Sequence, residues 1–231
     1  MKISEIFYSI QGEGILLGMP SVFVRTSGCN LRCTWCDTPY TSWHPEGRNM
    51  SIDEIINEIG DEVSHFPASH VVVTGGEPMI APEIVGLTDK LRDADWHITM
   101  ETAGTCFAPV ACDLMSISPK LANSTPWERE GGRWAIHHDR LRYQPEVLRR
   151  LMGAYEYQLK FVVSSDGDLA EIDAMRAELD APREKVVLMP EGVDREVLRE
   201  RGAWLAEICK ASGYRYSPRL HVDLWGDKRG T

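Results

Sequence analysis

Short β-branched runs alternate with amphipathic segments along most of this chain, and that order constrains the fold more than any other feature. Ser21–Thr26, Val71–Thr74, Ile98–Glu101, Leu114–Ile117, Gln158–Val163, Val186–Met189 and Leu220–Leu224 read as strands. Helical patterns run between most of them, at 51–65, 82–95, 169–179 and 195–212. Ser51 and Glu54 fit a capping box ahead of an apolar face made by Ile52, Ile55, Ile56, Ile59 and Val63. Strand, helix and strand in succession imply parallel pairing with crossover helices. The fold class is therefore α/β, as an open sheet or a complete or partial barrel. Ahead of the first strand, turns at 11–14 and 18–20 separate short apolar pieces, which suggests an N-terminal hairpin over the mouth of the fold. No linker parts the chain, so residues 1–231 are expected to form one domain. The polar stretch near 123–144 reads as an inserted loop, with His137 and His138 on its surface.

Charge narrows the partners. Asp and Glu number 35 against 25 Lys and Arg, a formal charge of -10 that repels a phosphate backbone, so no nucleic acid is expected. Nowhere do 18 apolar residues run together, and Met1–Ile6 lacks the pattern of a secretory leader. A cytoplasmic protein with no membrane contact is expected.

In parallel α/β folds ligands sit at the carboxyl ends of strands, and the unusual residues of this chain fall there. They are Gly28 to Asp37, Gly75-Gly76-Glu77-Pro78, Glu101-Thr102-Ala103-Gly104, Ser118-Pro119-Lys120 and Pro190-Glu191-Gly192. Cys29, Cys33 and Cys36 crowd into eight residues, whereas Cys106, Cys112 and Cys209 stand apart. Three thiols on one helical face would space this way, but Gly28 and Asn30 oppose a helix start. A structural zinc site wants a fourth ligand and usually a second CxxC, which the chain lacks. An iron-sulfur cube held by three thiolates keeps one iron open, whereas an electron-transfer cluster takes four cysteines.

At this point the sequence resembles the radical S-adenosylmethionine superfamily, whose CxxxCxxC loop binds a 4Fe-4S cluster with an aromatic residue, here Trp35, before the last cysteine. The resemblance implies a small, modified, partial (β/α)6-type barrel. It implies that S-adenosylmethionine chelates the open iron and is cleaved by one electron to a 5'-deoxyadenosyl radical that abstracts hydrogen. It assigns Gly75, Gly76 and Glu77 to the methionine amino group, where a side chain at Gly76 would intrude. Trp35, Asp37, Thr102, Ser118, Lys120, Gln158, Lys160, Met189 and Pro190 are assigned to the rest of the cofactor.

The N-terminal text is more specific. Ser9-Ile10-Gln11-Gly12-Glu13-Gly14, Gly18-Met19-Pro20-Ser21, Val24-Arg25-Thr26-Ser27-Gly28-Cys29 and Cys36-Asp37-Thr38 are similar to the 7-carboxy-7-deazaguanine synthase family, and the match continues to the last strand. That resemblance implies ring contraction of 6-carboxy-5,6,7,8-tetrahydropterin to 7-carboxy-7-deazaguanine with loss of ammonia, on the way to queuosine and related deazapurines. Ile10, Gln11, Gly12, Glu13, Arg25, Thr74, Gly76 and His221 would bind the pterin, Arg25 by forking onto its carboxylate. Glu101 would act beside the reacting ring. Thr38 would ligate magnesium, although a residue after the last cysteine also fits a helix cap. Implied partners are a low-potential electron donor such as flavodoxin or ferredoxin and a second copy of the chain as a homodimer. The alternatives are a glycyl-radical activase, which shares only the cysteine loop, and a zinc-stabilised binding module without catalysis.

Overall fold

The structure, a computed structural model, describes residues 1–231. The strands are β1 (Lys2–Ile10), β2 (Pro20–Thr26), β3 (Arg48–Asn49), β4 (His70–Gly75), β5 (His97–Thr102), β6 (Leu114–Ile117), β7 (Tyr157–Val163), β8 (Val186–Pro190) and β9 (Arg215–Tyr216). The helices are α1 (Pro39–Ser42), α2 (Ile52–Glu62), α3 (Ile84–Asp93), α4 (Ala135–Leu141), α5 (Pro145–Ala154), α6 (Asp168–Glu178), α7 (Arg195–Ser212) and α8 (Leu220–Trp225). All strands join one sheet in the order β3-β1-β2-β4-β5-β6-β7-β8-β9. From β2 to β9 every pairing is parallel, while β1 is antiparallel to both β2 and β3. The two ends do not meet, so this is the partial barrel expected from the sequence.

Parallel strands covered on both faces must be apolar throughout, and the central ones are. Val71, Val72 and Val73 of β4 are fully buried, as are Leu159, Phe161 and Val163 of β7. Helix α2 begins at the expected capping box: Ser51 Oγ accepts from Glu54 N at 3.3 Å, and Glu54 Oε2 accepts from Ser51 N at 2.7 Å. It packs Ile55 and Ile59 into the core, each worth about 1.5 to 3 kcal/mol of burial. At the amino ends of the strands, His70 bridges β2 and β5, with Nδ1 2.6 Å from Ser21 Oγ and Nε2 2.8 Å from Thr99 Oγ1. That end is closed with polar pairs, and the carboxyl end stays open.

Three expectations change. The segment Leu220–Leu224 is helix α8 and not a strand, so His221 does not lie in the sheet. Its apolar residues at 220, 222 and 224 read as period two over only five positions, too few to separate strand from helix. The helix buries Val222 and leaves Leu224 49% exposed. The N-terminal piece Lys2–Ile10 is a nine-residue strand paired with β2 from Ile3–Thr26 to Ile10–Pro20, so the hairpin belongs to the sheet and only its turn reaches the mouth. Residues 123–144 are no simple loop. They hold two 3-10 turns and α4, and His138 is completely buried rather than on the surface.

Candidate active site

A cavity of about 510 Å³ opens at the carboxyl ends of the parallel strands. Its wall takes Arg25 from the end of β2, Thr74 and Gly75 from β4 with Gly76 just beyond it, Glu101 and Thr102 from β5, Ser116 from β6 with Ser118 just beyond it, Lys160 from β7 and Met189 from β8. Ile10, Gln11, Gly12 and Glu13 enter from the hairpin turn, and His221 from α8. Cys29, Cys33, Cys36, Trp35, Asp37, Thr38 and Lys120 complete it.

The cysteine loop has no regular structure between Gly28 and Thr38, so other segments must satisfy its backbone. Gly28 N donates to Thr41 O at 2.8 Å, and Gly28 O accepts from Glu77 N at 2.9 Å. Trp43 Nε1 donates to Cys33 O at 3.0 Å. All three thiols face the cavity, yet no three Cys, His, Asp or Glu side chains converge on a point that would hold a single metal ion. Thiols spread along one wall suit a cluster with several irons, which takes each thiolate at a different corner. Burial pushes the Cys29 thiol up to about 12, aided by the charge on Glu77, and burial pushes Cys33 higher still.

Gly75 and Gly76 explain themselves through backbone contacts. Gly75 has φ +130°, and a Cβ there would fall on Thr26 O. A Cβ on Gly76 would fall on Gly28 O and lie 2.8 Å from Thr41 O. The paired glycines thus let β4 pass directly under the cysteine loop. A side chain at Gly76 meets protein backbone before it meets any cofactor. Gly76→Ala is therefore expected to lower the stability of the cofactor-free protein by about 1 to 3 kcal/mol. A thermal melt without iron or S-adenosylmethionine checks this; an unchanged midpoint would return Gly76 to a purely ligand-facing role.

Charged groups are paired across the mouth. Glu13 accepts from Lys160 and from Arg219 Nε at 3.1 Å, and Arg219 also pairs with Asp37. Burial alone would push Glu13 up, but Lys160 and Arg219 outweigh it and hold its carboxyl far below the usual range. Glu101 accepts from Thr74 Oγ1 at 2.7 Å and from Gln11 Nε2 at 3.3 Å, with Lys160 Nζ at 3.8 Å. Gln11 Oε1 in turn accepts from Glu13 N at 3.1 Å. Arg25 Nε donates to Glu5 Oε1 at 2.6 Å, and no side chain takes its two Nη groups. Thr38 precedes α1 but its hydroxyl caps nothing; its carbonyl instead accepts from Thr41 N at 2.9 Å and Thr41 Oγ1 at 2.9 Å. The cap expected as the ordinary use of Thr38 is absent; Thr38 lines the cavity, its hydroxyl 3.5 Å from Thr41 Oγ1 and 3.9 Å from Cys36 Sγ.

This layout has known counterparts. Residues 23–122 match the radical SAM superfamily model. The chain is 47% identical to the 7-carboxy-7-deazaguanine synthase of Halobacterium salinarum over 98% of its own length and 91% of the relative's. It is 45% identical to that of Rhodopirellula baltica over 100% and 89%. This chain belongs to the 7-carboxy-7-deazaguanine synthase family. The crystal structure of QueE from Escherichia coli superposes with a TM-score of 0.69 at 28% identity, covering 95% of this chain and 94% of that one. TYW1 with a lysine-pyruvate adduct superposes at 0.55 with 12% identity, a likeness of fold alone. As a member of the synthase family the chain is a radical S-adenosylmethionine enzyme whose cofactors are a 4Fe-4S cluster, S-adenosylmethionine and magnesium. Membership displaces the activase and zinc-module alternatives.

Within the synthase frame, three expected cofactor contacts stand away from the cavity. Glu77 is 1% exposed and its carboxylate is spent inside the protein, accepting from Thr102 Oγ1 and Ala103 N at 2.8 Å and from Met79 N at 3.1 Å. Its burial keeps the carboxyl above its ordinary value despite those bonds. Gln158 is buried, donating to Ser116 Oγ at 2.7 Å and accepting from Ile15 N at 2.9 Å, so it ties the hairpin turn to β6 and β7. Pro190 ends β8 behind Met189 and does not line the wall.

Other residues of the cavity had no signal in the sequence. Arg219, Ser116 and Tyr40 line the cavity, as does the C-terminal stretch from Gly226 to Thr231. Arg229 in that stretch reaches Glu5 and Glu46 and lies 3.9 Å from the Tyr40 ring centroid. Arg219 sits 206 residues from its partner Glu13, a separation no local pattern reveals.

Proposed function

We propose that the chain converts 6-carboxy-5,6,7,8-tetrahydropterin to 7-carboxy-7-deazaguanine with loss of ammonia, in deazapurine and queuosine biosynthesis. The observation that carries this reading is the convergence on one cavity of three thiols from a single loop, the Gly75-Gly76 turn and the uncapped Thr38 hydroxyl. When bound, the cluster and S-adenosylmethionine supply a carbon-centred radical that abstracts hydrogen. Cys29, Cys33 and Cys36 would hold the cluster; Trp35, whose Nε1 donates to Asn123 Oδ1 at 3.2 Å, would bound the S-adenosylmethionine space beside them. Gly75, Gly76, Asp37, Thr102, Ser118, Lys120, Lys160 and Met189 bound the S-adenosylmethionine space, and Glu77, Gln158 and Pro190 shape it from behind.

The pterin lies toward the hairpin side, against Ile10, Gln11, Gly12, Glu13, Thr74 and His221. Its carboxylate meets the free Nη groups of Arg25, whose orientation Glu5 sets through Nε. Glu101, fixed by Thr74 and Gln11, exchanges a proton with the ring at its carboxylate oxygens. Lys160 Nζ stands 3.8 Å from Glu101 Oε1 and pairs with Glu13 on its other side. A low-potential donor of the flavodoxin or ferredoxin kind supplies the electron, and the enzyme works as a homodimer in the cytoplasm. No helix is long and apolar enough to cross a membrane. Anaerobic incubation of the reconstituted protein with carboxytetrahydropterin, S-adenosylmethionine, magnesium and a reductant tests the reaction. Formation of carboxydeazaguanine is expected, and S-adenosylmethionine cleavage without it would overturn the substrate.

Thr38 gives a separate test of the magnesium site. Thr38→Ser keeps the hydroxyl and is expected to keep the magnesium response. Thr38→Val keeps the shape, removes the oxygen ligand and is expected to raise the magnesium needed for half-maximal turnover by about tenfold or more. Because the hydroxyl makes no cap, Val should leave the melting temperature almost unchanged. A destabilised Val variant with a wild-type magnesium titration would reverse both statements.

A further inference from the structure

A parallel connection from β6 to β7 needs one crossover helix, and α5 already supplies it. The extra length before α5 does something else. It bonds to the cysteine loop at three backbone groups: Thr34 N donates to Ser124 O at 2.8 Å, Arg129 Nη1 donates to Thr34 O at 2.8 Å, and Arg32 N donates to His138 Nδ1 at 3.0 Å. His138 and Ser124 are both completely buried.

The hydrogens in this cluster are fixed by elimination. A backbone N–H can only donate, so His138 Nδ1 carries the lone pair that Arg32 N meets. The single Ser124 hydroxyl proton goes to Leu121 O at 2.6 Å. His138 Nε2 therefore carries the imidazole hydrogen and donates it to Ser124 Oγ at 2.9 Å. Every donor is used once, and only one ring orientation and one tautomer satisfy the set. The ring bonds to the backbone between Cys29 and Cys33 without lining the cavity itself.

We propose that His138, oriented by Ser124, is a positioning residue that holds the 29–33 backbone in the shape that receives the cluster. The inference rests on the cluster reading of Cys29, Cys33 and Cys36 and goes beyond it, since His138 touches neither cofactor nor substrate space. Groups one step behind a metal ligand change metal affinity by about 10- to 100-fold when they are removed.

The test compares wild type with His138→Leu, His138→Asn and His137→Leu, each reconstituted anaerobically with iron and sulfide. It reads the rate at which a chelator strips iron, the electron paramagnetic resonance of the reduced cluster, and the melting of the iron-free proteins. His138→Leu fills the space without an acceptor and is expected to lose iron about tenfold faster, with a changed resonance. His138→Asn places Oδ1 near the lost Nδ1 and is expected to return the rate toward wild type, although it fills the space less well. His137→Leu, next door but exposed, is expected to behave as wild type. Leu releasing iron at the wild-type rate, or Asn releasing it as fast as Leu, overturns the proposal. Should His138→Leu fail to fold, Ser124→Ala keeps the carbonyl that Thr34 uses and removes only the group that orients the ring. Faster release is expected there too, and a wild-type rate would count against the proposal. A wild type that holds no cluster defeats the cluster reading itself, whereas a loaded wild type with indifferent variants defeats only the role of His138.

Discussion

Cys33→Ala, like Cys29→Ala and Cys36→Ala, is expected to leave the protein without a cluster, while a triple Ala variant at Cys106, Cys112 and Cys209 keeps a full one. The first three thiols face one cavity, and the second three do not. Cys209 is buried on the inner face of α7, where burial pushes its thiol up to about 11. Cys112 is pushed up to about 12 by burial in the segment before β6. Cys106 neighbours Thr105, whose hydroxyl meets Asn30 of the cysteine loop at 3.0 Å, but Cys106 itself does not line the cavity. A cube held by three thiolates has no spare protein ligand, so losing one leaves two irons open and the cluster is shed. Iron and sulfide analysis after anaerobic reconstitution decides the matter. Full stoichiometry in Cys33→Ala would remove the cluster from this loop, and loss in the triple variant would bring a distant cysteine into it.

How much could be read from the sequence depended on the distance over which each signal acts. The buried strands β4 to β8 announced themselves because a parallel strand covered on both faces leaves a continuous β-branched run. The capping box of α2 was equally plain, since both partners lie within four residues. Lys2–Ile10 was harder: β1 leaves Lys2, Ser4 and Glu5 only half-buried, and such a strand is known by its partner rather than by its own composition. α8 was misread because five residues do not fix a period. The site divides the same way. Cys29, Cys33, Cys36, Gly75 and Gly76 could be named because their spacing is local. The work of Glu77 and Gln158 could not, because its direction is set by Thr102 and Ser116 on neighbouring strands and by Ala103 just past the end of β5. The burial of His138 depends on contacts with Arg32 and Ser124 that no pattern within 123–144 displays.

The rim of the cavity also shows why tertiary pairing and not charge count governs this site. The chain carries ten more acidic than basic side chains, yet the acids at the mouth are matched: Glu5 by Arg25 and Arg229, Glu13 by Lys160 and Arg219, Asp37 by Arg219. A small anionic substrate therefore meets a rim whose acids are neutralised and the untaken Nη groups of Arg25, even though the surface at large is negative.

Arg219→Met tests that pairing and is expected to cost about 3 kcal/mol at neutral pH, the lower end for breaking a buried ion pair. The methionine keeps most of the length of the side chain but leaves Glu13 with Lys160 alone and Asp37 without its nearest cation. The lower end applies because Lys160 remains and because Asp37, 39% exposed, is partly hydrated. For a chain of this size that loss corresponds to about 6 to 12 °C in melting temperature. The pH dependence follows from the carboxyls. Burial works to raise both Glu13 and Asp37, yet in wild type Lys160 and Arg219 bring Glu13, and Arg219 brings Asp37, below their ordinary values. A carboxyl lowered by folding contributes stability above its unfolded pKa and loses it as pH falls toward the folded value. The wild-type advantage over Arg219→Met should thus be full near neutral pH and shrink through the ordinary carboxylate range, at about pH 4 and below. There the folded variant, its Glu13 and Asp37 short of a cation, takes up protons that folded wild type does not; the unfolded chains titrate alike and cancel. Melting curves of the two cofactor-free proteins between pH 3 and 8, values chosen to span roughly that window, measure this. A deficit that persists undiminished at the acid end would mean that Arg219 stabilises through packing of its stem and not through its charge.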